Sequence, residues 1–324
     1  MGKTVWIDYD PNAVDLSCLF RRFEAEGYQV IAEAVRDFND EEDIIRHALQ
    51  ADAVVAQGEC WNERTLSAVK GKVQIIVRFG VGANGIDIPW ATKVGIPVGN
   101  IAGANSAAVA EIALLHILNC NRRFTHCAEG VRGGIWPSSL LGNELDGKTV
   151  GLFGLGNIAR QLVRMLSGFH VNILAYDPYV DPASAPQGAV IVSTVEELFS
   201  RSDIVSLHVP LTQQTEGIID AHLFELMKPT AYLVNTCRGA VVNEPDLIAA
   251  LQSGKLRGAG LDVVVEPVDM ESPLMKMDNV TVTSHLGANA WESDMRGEDM
   301  IADTIIGFFN GQHPANILNK EVFR

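Results

Sequence analysis

Residues 148–177 read Lys-Thr-Val-Gly-Leu-Phe-Gly-Leu-Gly-Asn-Ile-Ala-Arg-Gln-Leu-Val-Arg-Met-Leu-Ser-Gly-Phe-His-Val-Asn-Ile-Leu-Ala-Tyr-Asp. The apolar run 149–153 is long enough for one buried strand. Gly154, Gly156 and Ala159 follow with G-x-G-x-x-A spacing, and Leu162, Val163, Met165 and Leu166 share a helix face. Residues 171–176 make a second strand, which ends in Asp177. Strand, glycine turn, helix, strand and acid in this order form a dinucleotide-binding unit.

Each part has a physical reason. Gly154 can take a tight turn that a side chain would hinder. Gly156 lets the backbone approach a pyrophosphate, and Ala159 keeps the helix close to the sheet. The free N–H groups at the helix start, near Asn157 and Ile158, face phosphate charge. Asp177 stands where an acid meets the adenosine ribose hydroxyls. An acid there favours NAD over NADP, because a 2′-phosphate would meet like charge.

Outside this stretch, composition sets bounds. A chain of 324 residues, 47% hydrophobic, suggests two domains with sizeable cores. The 25 Lys and Arg against 40 Asp and Glu, a net charge of −15, argue against nucleic acid as a partner. No run of 18 apolar residues suggests a membrane span. The N-terminus enters a strand with no signal-peptide pattern. Cys18, Cys60, Cys120, Cys127 and Cys237 show no C-x-x-C spacing, so we expect no metal site and reduced thiols in a cytoplasm.

Before the dinucleotide unit, apolar runs at 5–8, 29–32, 53–56 and 75–77 alternate with helical patterns. The first helix carries Leu16, Leu19, Phe20 and Phe23 on one face, with Asn12 as its cap. This alternation predicts a small parallel α/β domain. Residues 79–87 form a glycine-rich loop, and Ser106 opens a long helix expected over 107–128. After Asp177 the strands 204–207, 232–235, 259–263 and 280–283 lead into His208-Val-Pro-Leu-Thr212, Thr236-Cys-Arg-Gly239, Glu266-Pro267 and Ser284-His-Leu-Gly287. Thr194 with Glu197, and Asn243, cap the intervening helices. A last helix is expected over 290–309. Polar residues thus gather at the carboxyl ends of strands, where ligands bind in an open parallel sheet.

Arg238, Glu266 and His285 each follow a predicted strand. A guanidinium fork can hold a carboxylate by two parallel hydrogen bonds. A histidine can donate a proton to a carbonyl during hydride transfer, and a glutamate touching it holds its tautomer and raises its pKa. Taken singly, each has a blander reading as a surface charge, a hydrogen-bonded filler or a turn residue. Together, beside a dinucleotide unit, they favour hydride chemistry.

With these residues in view, the chain resembles the D-isomer-specific 2-hydroxyacid dehydrogenases, the group that includes phosphoglycerate dehydrogenase. The marks are Gly80-Val-Gly82 with Ile86-Asp87, Asn105-Ser106 with Val109-Ala-Glu111, the Gly154 loop, His208-Val-Pro-Leu-Thr212, Asn235-Thr-Cys-Arg-Gly239, Gly260-Leu-Asp262 and His285-Leu-Gly287. They span nearly the whole chain. The resemblance implies that Arg238 binds the substrate carboxylate, that His285 is the acid/base and that Glu266 assists it. It implies NAD contacts from Gly154, Gly156, Asn157, Ile158, Asp177, Pro210, Thr236, Cys237, Asp262, Gly287 and Ala288, substrate contacts from Val81 and Gly82, and no metal. It also implies two Rossmann-like parallel-sheet α/β domains and a homodimer. The substrate domain would be discontinuous, 1–103 plus 290–324, around an NAD-binding domain at 104–289.

The chain departs from the family pattern at four points. One residue fewer separates Asp262 from Glu266, Ser284 replaces a frequent Pro, and Asn84-Gly85 replaces a frequent Asp-Asn. The chain also ends at 324, where long phosphoglycerate dehydrogenases continue into a serine-sensing domain. The expectation is an NAD-dependent oxidoreductase interconverting a small 2-keto acid and its D-2-hydroxy acid. Residues 57–61, Gln-Gly-Glu-Cys-Trp, carry no cation where phosphoglycerate-specific relatives commonly place an Arg, and Arg78, the nearest basic residue to the glycine loop, has a counterpart in relatives with varied substrates. The expected substrate is therefore unphosphorylated, with Trp61 shaping its pocket and Arg64 or Lys72 as further cations within reach of the cleft. Three alternatives stand beside it: phosphoglycerate dehydrogenase proper, an NAD-sensing binding protein of the same fold, and formate dehydrogenase, which has Gln where Glu266 stands.

Overall fold

Strands form where short runs of Val, Ile, Leu and Ala are bounded by turn residues. Helices cover both faces of each sheet, so these runs are apolar throughout rather than alternating. The computed structural model describes every residue except 1, 11–14, 84 and 137. It divides into two units, Met1–Asn105 with Ala290–Arg324, and Ser106–Asn289.

The first unit opens β1 (Thr4–Ile7), α1 (Ser17–Ala25), β2 (Gln29–Ala32), α2 (Glu41–Ala48), β3 (Ala53–Ala56), α3 (Glu63–Ala68), β4 (Ile75–Arg78), α4 (Ile88–Val94) and β5 (Val98–Gly99). Its five strands are parallel in the order β2-β1-β3-β4-β5. The expected cap Asn12 lies outside the described residues; α1 begins at Ser17, with Leu16 in the N-cap position. Asp40, Asn62 and Asp87 cap α2, α3 and α4 by accepting N–H bonds from the first turn, each worth about 1 kcal/mol.

The second unit comprises α5 (Ser106–Arg122), α6 (Phe124–Arg132), β6 (Thr149–Phe153), α7 (Asn157–Leu166), β7 (Asn172–Tyr176), β8 (Ala189–Ile191), α8 (Val195–Arg201), β9 (Ile204–Leu207), α9 (Ala221–Leu226), β10 (Tyr232–Asn235), α10 (Glu244–Gln252), β11 (Gly258–Leu261) and β12 (Val280–Val282). Seven parallel strands run in the order β12-β11-β10-β9-β6-β7-β8. One face packs against α5 and α7 around Val150, Leu152, Ala159, Leu162 and Val234. The other packs against α8, α9 and α10 around Phe153, Phe199, Leu207, Phe224 and Leu247.

The single helix expected over 107–128 is two. Arg123 takes a left-handed conformation (φ 53°) between α5 and α6. Asn119 compensates, its Oδ1 accepting from the Thr125 N–H at 2.8 Å and the Thr125 hydroxyl at 3.0 Å. The break has no glycine or proline to announce it.

The chain then returns to the first unit as α11 (Trp291–Phe309). With α1 it covers one face of that sheet, burying Ile301, Ala302 and Ile305 beside Val5, Ile7 and Leu19. Helices α2, α3 and α4 cover the other face around Trp6, Trp61, Ile76 and Val98.

Candidate active site

The strand order of the larger sheet reverses between β6 and β9. A crevice opens at the carboxyl end of such a switch point. The 154–156 turn occupies it. Gly154 has φ +97°, and a Cβ there would lie 2.7 Å from the His208 carbonyl oxygen. The turn therefore needs glycine twice over, for its conformation and for its approach to β9. Gly156 is different: it has an ordinary φ of −76°, and a Cβ on it would meet nothing within 4 Å. It caps α7 with no side-chain hydrogen bond, so the N–H groups at Asn157 and Ile158 are not taken up by a capping side chain. At the end of β7, Asp177 accepts from the Leu155 N–H at 2.9 Å and the Tyr179 N–H at 3.0 Å. One N–H per oxygen leaves acceptor capacity on this half-buried carboxylate.

His208 and Pro210 follow β9. The His208 Nε2 lies 2.9 Å from the Ser206 hydroxyl while its Nδ1 has no partner. Burial pushes this imidazole down to about 4, so it is neutral near pH 7. Pro210 is exposed, and its carbonyl accepts from the Thr215 hydroxyl at 2.6 Å.

Thr236, Cys237 and Arg238 follow β10. Thr236 is 7% exposed, and its hydroxyl has no partner. The Cys237 N–H and thiol both turn to the Asn235 Oδ1, at 3.0 and 3.1 Å, and burial pushes the thiol up to about 11. This cysteine is a packed group rather than a nucleophile. Arg238 is half-buried, with its Nη1 donating to the Cys237 carbonyl at 2.6 Å. Gly239 presses on the next loop: a Cβ there would fall 2.0 Å from the Val264 carbonyl carbon.

Asp262 follows β11, and its carboxylate is buried and occupied. Oδ1 accepts from the Thr283 hydroxyl at 2.6 Å and the Leu286 N–H at 3.0 Å; Oδ2 accepts from the Gly287 N–H at 2.8 Å. A Cβ on Gly287 would lie 2.9 Å from that Oδ2, so only glycine fits. The turn 285–288 after β12 is thereby tied to Asp262. Its first residue, His285, is exposed and held at φ 55°, a conformation few non-glycine residues adopt. Ala288 sits half-buried in the same turn.

Arg238, Glu266 and His285 thus stand beyond the carboxyl ends of three neighbouring strands, β10, β11 and β12. Glu266 is exposed, and among the described residues no hydrogen bond or ion pair joins it to His285.

The smaller sheet has its own switch point, between β1 and β3. Asp8 and Glu59, at the ends of those strands, are 0% and 1% exposed. The Asp8 charge acts directly on Glu59. Asp8 Oδ1 accepts from the Val35 N–H, and Glu59 Oε2 from the Gln57 N–H. The remaining oxygens, Asp8 Oδ2 and Glu59 Oε1, have no further partner. Burial and the Asp8 charge push Glu59 up to about 8; burial also raises Asp8. His47 and Asp43 of α2 act on Asp8, and Asp8 and Glu59 both act on Tyr9.

Val81 and Gly82 follow β4 in this unit. Val81 is 40% exposed, and its carbonyl accepts from Asn100 at 2.7 Å. Asn84 lies outside the described residues. Trp61 is fully buried, its ring 6.3 Å from that of Trp6, so it fills the core instead of shaping a pocket. Arg64 is bound to Glu41 and Glu42, and Lys72 to Asp52.

Sequence reasoning left out Asp8, His116, Ser206 and Thr283. A lone histidine on the apolar face of α5 reads as core, and no local signal links it to residues far along the chain.

The residues after β6, β7 and β10 fit a dinucleotide. Gly156 keeps clear a space that any side chain would fill, α7 offers unclaimed N–H groups, and the buried Thr236 hydroxyl lacks a partner. Among the described residues, no group of three or more His, Cys, Asp or Glu could hold a metal ion. No helix is long and apolar enough to cross a membrane.

Comparison with known proteins agrees with this geometry. Residues 114–287 match the family model of the D-isomer specific 2-hydroxyacid dehydrogenase NAD binding domain. The glyoxylate reductase of Korarchaeum cryptofilum is 37% identical over 259 residues, covering 78% of each chain. That of Thermococcus litoralis is 35% identical over 287 residues, covering 86% of this chain and 87% of its own. The D-3-phosphoglycerate dehydrogenase of Mycobacterium leprae is 35% identical over 273 residues, 84% of this chain and 52% of that one. The chain spans about half the length of the phosphoglycerate dehydrogenases it matches. The holo form of Rhodotorula graminis D-mandelate dehydrogenase superposes with a TM-score of 0.88 at 28% identity, covering 98% of this chain and 97% of that one.

Proposed function

The chain belongs to the D-isomer-specific 2-hydroxyacid dehydrogenases, and from that premise we propose that it is an NAD-dependent oxidoreductase interconverting a small 2-keto acid and its D-2-hydroxy acid. The observation that carries the proposal is the position of Arg238 and His285 at the carboxyl ends of β10 and β12, on the sheet edge that also carries the 154–158 turn and Asp177. Bound NADH would supply the hydride for reduction, and bound NAD+ would accept it in the reverse direction. Arg238 would hold the substrate carboxylate with the guanidinium N–H groups not spent on the Cys237 carbonyl. The His285 imidazole would donate a proton to the carbonyl oxygen as charge develops there, and take it back in the reverse direction. Glu266, beyond the strand between them, would orient that imidazole.

Gly154, Gly156, Asn157 and Ile158 would cradle the pyrophosphate, and Asp177 the ribose. Pro210, Thr236, Cys237, Asp262, Gly287 and Ala288 would line the remainder of the cofactor site. Asp262 would act chiefly by shaping the 285–288 turn, since three donors already occupy it. Val81 and Gly82 would meet the substrate, making the unit that contains them the substrate domain.

We propose an unphosphorylated substrate. The segment after β3 carries the buried Glu59, and Arg64 and Lys72 are in ion pairs. Arg78 donates to the Ala56 carbonyl at 3.2 Å and stands beside the glycine loop, where relatives with varied substrates carry a similar Arg, so it does not by itself point to a phosphate. The test compares kcat/KM for hydroxypyruvate and 3-phosphohydroxypyruvate with NADH. We expect the unphosphorylated acid to be preferred, and H285A to abolish most turnover while NADH still binds. A preference for the phosphorylated compound would overturn the substrate assignment, and full activity in H285A would overturn the mechanism.

A homodimer completes the proposal. No residue of α6 is fully buried. Phe124, Val131, Ile135 and Trp136 are 68%, 44%, 65% and 80% exposed, an apolar arm suited to a second copy. The five cysteines are free, which suits a cytoplasmic location.

A further inference from the structure

We infer that His116 is a positioning residue: acting through Thr283 and Asp262, it holds the turn that presents His285. The chain of contacts is continuous. His116, on α5, is 3% exposed, and its Nε2 lies 3.1 Å from the Thr283 hydroxyl oxygen. That hydroxyl lies 2.6 Å from Asp262 Oδ1. The same carboxylate takes the N–H groups of Leu286 and Gly287, and the Asp262 carbonyl takes the His285 N–H at 2.8 Å.

Proton counting gives the relay a direction. A carboxylate only accepts, so the single hydroxyl proton of Thr283 is spent on Asp262. Thr283 must then accept from His116, which puts a proton on Nε2 and makes the imidazole the terminal donor. Burial holds His116 below its ordinary pKa, against a smaller opposing pull from Asp262. It works as a neutral donor of fixed tautomer.

Gly260 sets how closely α5 lies on β11 at this point. It has no positive φ, so its backbone does not require glycine. A Cβ on it would lie 2.8 Å from His116 Nδ1, 2.9 Å from its Cβ and 3.0 Å from Cγ. Glycine stands within β11, at a cost of roughly 0.5–1 kcal/mol relative to alanine, where it lets His116 sit against the strand. Asn119, one turn further along α5, braces β12 by donating to the Thr281 hydroxyl at 2.8 Å.

The inference rests on the reading of His285 as the acid/base, and its test separates the two. Hydrogen exchange across 283–289 would be measured in the full protein for H116L, H116Q, T283V and the parent, beside kcat, KM and the NADH dissociation constant. Glutamine carries an N–H at comparable reach; valine keeps the shape of threonine without its hydroxyl. We expect exchange in the turn to rise about tenfold in H116L and T283V as its local opening becomes easier. We expect kcat to fall about tenfold, NADH affinity to fall by less because only Gly287 and Ala288 of the cofactor site share this turn, and H116Q to recover most of both losses. Unchanged exchange in both H116L and T283V would overturn the relay, as would an H116Q indistinguishable from H116L. Faster exchange with undiminished kcat would uphold the relay and overturn the role given to His285.

Discussion

The two sheets reverse strand order in the same way, yet their switch points are built to opposite ends. In the larger sheet the crevice between β6 and β9 is kept open: Gly156 leaves space above the start of α7. In the smaller sheet the place between β1 and β3 is plugged by Asp8 and Glu59, two acids with essentially no exposure. The topology provides a crevice in both cases. The side chains at its mouth decide whether anything enters, so the fold alone does not assign a ligand.

The sharpest way to break the contrast is to close the open switch point. In G156V the added Cβ would meet nothing within 4 Å beyond its chain neighbours, and φ is ordinary. We expect the unfolding free energy to stay within about 1 kcal/mol, while NADH affinity falls at least a hundredfold, about 2.7 kcal/mol, as read by fluorescence titration. G154A should behave in the opposite sense, losing stability first because of its φ of +97° and its contact with the His208 carbonyl. Equal losses of stability in the two variants would show that Gly156 serves packing rather than a ligand.

A second test asks whether the plugged switch point holds a proton. The folded pKa of Glu59, about 8, lies above its ordinary 4.5. Between these values the unfolded chain has lost the proton and the folded chain keeps it, so stability is fullest below 4.5 and declines as pH rises toward 8. The slope is at most about 1.4 kcal/mol per pH unit. E59Q, an uncharged partner for Asp8, should match the parent near pH 5, flatten this decline and be the more stable protein at pH 9. Parallel melting curves for the two proteins from pH 5 to 9 would mean that the pair shares no proton.

The smallest expected effect falls on Asp177, which lies between these extremes. Two N–H groups hold it, and the rest of its acceptor capacity is unused. We expect D177S to narrow the preference for NADH over NADPH about tenfold, by removing like charge from the place of a 2′-phosphate. A parent enzyme that used both cofactors equally would remove the basis for this expectation.

The sequence was most legible where local chemistry decides structure. Residues 149–153 and 232–235 were expected as strands and are β6 and β10. Thr194 and Asn243 were expected as caps and accept the N–H groups of Glu197 and Asp246. The helix break at Arg123 was invisible because a tertiary hydrogen-bonding arrangement at Asn119 compensates for it. Strands β5 and β8, of two and three residues, are too short to carry a periodic signal. The residues flanking the two switch points were visible as residues, but their burial was not. Trp61 read as a pocket wall, Glu59 only as an acid where a cation was sought, and His116 drew no reading, because burial depends on which strands become neighbours.

The unit that carries β1 to β5 has a further consequence, for the order in which the protein is made. Its sheet and four of its five α-helices lie in the first 105 residues, yet α11 supplies Ile301, Ala302 and Ile305 to its core, and the Glu298 carboxylate receives the Leu19 N–H at 2.7 Å. Asn319 reaches back to bond both the Val98 N–H and the Ile96 carbonyl. The intervening segment Ser106–Asn289 is continuous and emerges from the ribosome whole, so it can fold as a unit while synthesis continues. The opening strands wait meanwhile with one apolar face covered by α1 alone: the part of the chain made first is the part completed last.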